Sequence, residues 1–196
     1  MVAGAFYTQV TAEGFAWVDS PDPAKDLDLV YLLRDHAGMP LARGWRPPLV
    51  EIVEWNRPTR RGRRFVRGEL FGTFGLGSFC LSADAAAALG DILEPWGEML
   101  PLKAGDATSL HLYRPFTRDC LLSKERRPEP ELLRLRQGVL HWYHFDAERV
   151  CGADAFCIPS EWNQVFVSQR VVDAVRRHGL RGLAFDPAAR PDGGAG

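Results

Sequence analysis

The stretch VFVSQRVVDAVRRHGLRGLAF, residues 165–185, sets the fold class. An aromatic-apolar strand end runs into Ser168, whose hydroxyl suits a helix N-cap because it can accept an orphan first-turn N–H. Val171, Val172 and Val175 then recur at helical spacing, while Gln169, Arg170, Asp173, Arg176 and Arg177 fall on the opposite face. Gly179 supplies a left-handed stop, and Arg176, Arg177 and His178 suit the negative end of the helix dipole. The expected unit is strand, helix, strand, with the valine stripe packed on a sheet and with Phe166 and Phe185 beneath it.

A second stretch, LSADAAAALGDILEPWG (residues 81–97), follows the same grammar. Ser82 is the cap, Ala85, Leu89 and Ile92 form an apolar stripe widened by Ala86 and Leu93, and Pro95 ends the helix. The strand ends that lead into the two helices, FCLS and VFVS, match closely enough to raise the question of a divergent duplication, or of nothing more than common helix grammar. Further strands are expected at Leu29 to Leu33, Leu49 to Trp55, Ser109 to Tyr113, Leu140 to Phe145, Gln164 to Val167 and Leu183 to Phe185, which are β-branched or aromatic and bounded by Gly, Pro or Asp. Many short strands with two main helices predict an α+β fold, a mostly antiparallel or mixed sheet with both helices packed on it.

The chain has 196 residues, long enough for one core without staples, and the expected organisation is one domain over residues 1–186 followed by a mobile tail, 187–196, of Pro, Gly and Ala. A net charge of −1 argues against a global attraction to nucleic acid or membrane. No run approaches the ~18 apolar residues of a membrane helix. The opening MVAGAFYTQVTAEGFAWVDS lacks the basic and apolar regions of a signal peptide, and the four cysteines form no C-x-x-C. A cytoplasmic protein with free, mostly buried thiols is expected.

The chemical signals are thin. His141 and His144 lie in HWYHFD, an alternating aromatic run that reads as a strand, where residues three apart point to opposite faces and cannot share an ion. Gly72, Gly75 and Gly77 are separated from the next helix by Phe-Cys-Leu with no lysine following, which reads as a turn between strands and not a phosphate loop. Cys80, Cys120 and Cys151 carry no surrounding nucleophile signature. The expectation is no catalytic, cofactor-binding or metal-binding residues and no cofactor.

Charge patterning is more informative. Eight arginines against Glu51 and Glu54 give +6 between Arg43 and Arg67, whereas Glu13 to His36 carries −4. Within the basic segment, RPTRRGRRFVR places Arg60, Arg61, Arg63 and Arg64 as candidate partner-binding residues, because guanidinium forks recognise carboxylates bidentately. A solvated basic hairpin and a nucleic-acid contact are the alternatives.

Three pieces, FCLSADAAAALGDILEPWGEMLPLKAG (79–105), LHLYRPFTRDCLLSKE (110–125) and VLHWYHFDAERVCGADAFCIPSEWNQVFVSQRVVDAVRRHGLRGLAF (139–185), follow one another in a recognisable order. The order resembles immunity protein family eleven of bacterial polymorphic toxin systems, formerly a domain of unknown function. The matching features fall on Cys80 to Ser82, Met99 to Leu102, His111 to Tyr113, Asp119 to Ser123, Ile158 to Pro159, Phe166 to Ser168 and Gly179 to Phe185. The first 70 residues match poorly, and Leu121 stands where the pattern expects an aspartate. The resemblance implies a cytoplasmic protein that binds and silences a cognate toxin, with no cofactor and no turnover. An enzyme of unassigned chemistry and a small nucleic-acid-binding or scaffold module are the competing classes.

Overall fold

The computed structural model describes residues 5–22, 40–54, 64–73, 77–128 and 141–189. Among the described residues, twelve strands and two α-helices follow in order: β1 Phe6–Thr11, β2 Trp17–Asp19, β3 Leu49–Val53, β4 Leu70–Thr73, β5 Phe79–Ser82, α1 Ala83–Leu93, β6 Gly97–Ala104, β7 Ser109–Pro115, β8 Leu121–Arg126, β9 His141–Phe145, β10 Ala155–Ile158, β11 Glu161–Ser168, α2 Gln169–Arg177 and β12 Leu183–Pro187. The fold is α+β and rich in sheet, as the alternation of short strands with two helices predicts. The expected strand Leu29 to Leu33 lies outside the described residues.

Both serine caps form. The Ser82 hydroxyl accepts from the Ala85 amide (3.2 Å) and the Ser168 hydroxyl from the Val171 amide (3.4 Å). Gly179 takes φ +64° at the end of α2. Beyond Leu93, Glu94–Trp96 tighten into a 3₁₀ turn, which accommodates Pro95 where the α-helix ends.

The grammar shared by the two helices extends to topology. β4, β5, β7 and β6 form an antiparallel run, and β10, β11, β1 and β12 form another. In each, a hairpin pair leads through a serine-capped helix to a strand at the far edge. The strand between is β7 in the first run and the N-terminal β1 in the second. The first run is closed into a six-stranded barrel by β2 and β3, which pair antiparallel with each other and join it through parallel contacts to β4 and β6. The second is covered by the separate hairpin β8–β9.

Three apolar cores follow from this plan. The central one lies between the helices and both sheets and gathers Leu81, Leu89, Leu93, Tyr113, Val165, Val167, Val171, Val172 and Val175. The barrel interior holds Val18, Val50, Phe71, Cys80, Leu100, Leu102, Leu110 and Leu112. An aromatic core under β9 packs Phe6, Tyr143, Phe145, Phe156 and Phe166, with Phe6 edge-on to Phe156 at 5.0 Å. Strand alternation corrects one expectation here. Val165 and Val167 lie beneath α2, and Phe166 points the other way into the aromatic core. Phe185 does pack against the central core.

Gly182 is required where the two sheets meet. Its φ is +117°, and a Cβ there would collide with the Leu70 carbonyl. The strand β12 runs through Pro187, the first residue of the expected tail, and Ala188 is fully buried, with its amide donating to the Phe6 carbonyl at 2.8 Å.

Candidate functional site

The arginine segment connects β3 to β4. Arg60, Arg61 and Arg63 lie outside the described residues, and Arg64 and Arg67 stand at the base. Arg64 is exposed and 3.5 Å from Glu54. Arg67 pairs with the same carboxylate and with Asp106 at 2.6 Å, so its guanidinium pKa is raised by those hydrogen bonds. Asp106 is held low, at about 2, by its bonds to Thr108 and then to Arg67. The base of the segment is therefore internally neutralised, and Arg64 is the member of the candidate set that the described residues include.

The buried charges do structural work that local sequence does not announce. Glu98 and Arg114 face each other across β6 and β7 at 3.0 Å, both inside the barrel end. The Glu98 carboxylate also accepts from the Leu41 amide at 2.8 Å and the Ala42 amide at 2.9 Å. Glu98, Leu100 and Leu102 alternate in GEMLPLKA, and that alternation was the one signal that Glu98 would point inward. Buried Asp154 accepts from the Ser168 hydroxyl at 2.6 Å and pairs with Arg170 at 2.7 Å, which fixes the start of α2. Arg127 lies 3.7 Å over the Trp142 ring and donates to the His141 and Pro187 carbonyls, tying the β8–β9 hairpin to β12.

His141 and His144 occupy a strand, β9, as expected. His141 shares the Tyr143 side, their rings 6.2 Å apart, and His144 lies across from it, 3.8 Å from Glu125. Among the described residues no three His, Cys, Asp or Glu side chains gather as a metal-binding group. Cys80, Cys120 and Cys157 are buried and Cys151 is exposed, all as free thiols. Burial pushes the Cys80 and Cys157 thiols up, Cys157 to about 12, and Cys120 to about 11. Thiols so shifted are protonated near neutrality and poor nucleophiles. Gly72 lies in β4 and Gly77 just before β5, so the glycine run connects two antiparallel strands. Gly75 is outside the described residues.

Taken together, the described side chains make an α+β scaffold whose charged groups either brace the fold or face solvent. No helix among the described residues is long and apolar enough to cross a membrane. Over residues 124–190 the chain matches the model of the immunity protein family (Imm11), the family whose order of features the sequence resembles. The match takes in the second half of β8, then β9 to β12 and α2. Residues 79–123, which also carry the resemblance, fall outside it. No curated protein matches the chain. The matched segment supplies three strands of the β10-β11-β1-β12 sheet, and the fourth, β1, comes from residues 6–11 and lies between β11 and β12.

Proposed function

We propose that this is an immunity protein, a cytoplasmic binder that neutralises a cognate bacterial toxin by direct protein–protein contact, without a cofactor and without turnover. The observation that carries the reading is the match of residues 124–190 to the immunity protein family. Two others support it. The buried thiols are protonated, and the buried carboxylates are committed to structural partners. The near-zero net charge gives no reason to invoke nucleic acid or a membrane surface. Residues 1–186 act as one domain in this reading, because β1 completes the sheet of the matched segment.

The partner surface is proposed to include Arg60, Arg61, Arg63 and Arg64. Interfaces concentrate their energy in a few anchors, and charges at the rim steer association. The test is co-expression with candidate toxins encoded next to the gene. Wild-type protein should protect cells from one of them, and replacement of any single Cys, His or Asp that leaves folding intact should preserve protection. Reversing the four arginines together should weaken protection and slow association. Protection that survives the fourfold reversal removes the segment from the interface. Loss of protection on replacing one folded-state Cys or His would instead point to an enzyme.

A further inference from the structure

The six barrel strands are joined unevenly. β6 and β7 pair over seven residues, Gly97 to Lys103 against Pro115 to Ser109, and β5 pairs with β7 over four. The two contacts that close the barrel are parallel and short. β2 meets β4 only at Trp17↔Gly72 and Val18↔Thr73, and β3 meets β6 only at Leu49↔Lys103 and Val50↔Ala104. Parallel pairing is also the less stable kind per residue.

Along the rest of β6 its edge is covered by the strap 41–48, which runs beside it without forming a strand. Leu41 and Ala42 donate to the Glu98 carboxylate, Trp45 donates from Nε1 to the Pro101 carbonyl at 2.7 Å, and the Pro48 carbonyl accepts from Lys103 at 2.9 Å. Phe65 and Val66 bond to Glu54 and Gly14, on the β2–β3 side. The fixed side begins at Glu69 and Leu70, whose amides both donate to the Arg181 carbonyl. Arg67 pairs with Glu54 on the β2–β3 side, and its ion pair with Asp106 across this boundary is solvent-exposed and therefore a weak fastener. The buried apolar residues that β2, β3 and the strap bring to the barrel are Ala16, Val18, Leu41 and Val50, and Trp45, Ile52 and Phe65 pack against them half-buried. Phe71, Leu100, Leu102, Leu110 and Leu112 come from the opposing sheet.

We propose that β2, β3 and the strap form a clamp that opens as one unit from the β4-β5-β7-β6 sheet while the rest of the protein stays folded, with the Glu98 carboxylate as its latch. Opening breaks two short parallel contacts, the latch, the strap's bonds to Pro101 and Lys103 and the barrel packing, but leaves the seven-residue β6–β7 pairing and the central core untouched, which is the condition for a sub-global opening unit. The inference does not depend on what the protein binds.

Hydrogen exchange of the full chain, followed by mass spectrometry across a series of sub-denaturing urea concentrations, tests it. In the wild type, amides of β2, β3, Leu41 and Ala42 should exchange as one group, at least ~10-fold faster than those of β5, β7 and α1 and with a weaker urea dependence. Glu98→Gln should accelerate that group a further ~10-fold, the loss of one charge-assisted contact, with the group's weaker urea dependence retained. Trp45→Phe removes only the bond to Pro101 and should accelerate the same group by a smaller factor, which keeps the test open if the Glu98 variant does not fold. Clamp amides that exchange at the global rate and with the global urea dependence in the wild type overturn the proposal. So do Trp45→Phe and Glu98→Gln variants that both leave the exchange of the clamp amides unchanged.

Discussion

Raising the pH should unfold this protein through its buried thiols. Cys80 and Cys157 are enclosed in the barrel interior and the central core, and burial raises both, Cys157 to about 12. A thiol in the unfolded chain titrates near ~8.5. Below that value both states hold the proton and pH has no effect. Above it the unfolded chain releases protons that the native state keeps, so stability falls as pH rises, until the folded pKa is reached. Each thiol then costs ~1.4 kcal/mol per pH unit, and two cost ~2.7. At pH 10, ~1.5 units above the unfolded value, the loss is ~4 kcal/mol, a large share of the roughly 5–15 kcal/mol typical of a domain. Cys120, flanked by charged residues and raised to about 11, adds nearly as much as either of them up to about pH 10 and less only as pH approaches 11. Tyr113 and Tyr143 are also raised by burial and steepen the fall at higher pH. Urea unfolding at intervals from pH 7 to 10.5 reads the slope directly. Cys80→Ala and Cys157→Ala each lower stability through a cavity, but each should also remove about a third of the slope, and a cavity cannot do that. A flat profile between pH 8.5 and 10.5, or single variants that keep the full slope, would show that the thiols are not the cause.

The remaining predictions concern packing, buried charge and metal. Val175→Ala removes a side chain that is 4% exposed in the central core and should cost ~1–3 kcal/mol, so an unchanged thermal midpoint would count against the packing of α2. Glu98→Ala strips the buried Arg114 guanidinium of its carboxylate and should cost ~3–5 kcal/mol, whereas Glu98→Leu combined with Arg114→Met should cost less, since an apolar pair replaces an ionic one. A double-mutant cycle by urea unfolding measures the difference, and simple additivity would show that the pair is not coupled. Purified protein is expected to hold no stoichiometric zinc, since His141 and His144 lie on opposite faces of β9; elemental analysis finding about one zinc per chain after dialysis against a weak chelator would contradict this.

Both helices are legible in the order of residues, down to the capping serine. A serine hydroxyl, an apolar stripe at helical spacing and a glycine or proline stop are interactions within a dozen residues, and no distant contact is needed to settle them. The same holds for β9 as a strand, and hence for the separation of its two histidines. Where β1 goes is a tertiary matter, because its partners lie far along the chain, in Phe166 to Ser168 and Leu183 to Pro187, and nothing local in FYTQVT selects them. So is the direction in which Phe166 points: Val165, Phe166 and Val167 are all fully buried, so the polar-apolar alternation that marks the faces of a half-exposed strand is missing. The β6–β7 register sets Glu98 opposite Arg114, and only the assembled barrel brings it to the amides of residues 41 and 42. A buried charge is tolerated only where its partners converge from several strands, and that convergence is set by register and barrel closure, which the order of residues along the chain does not display.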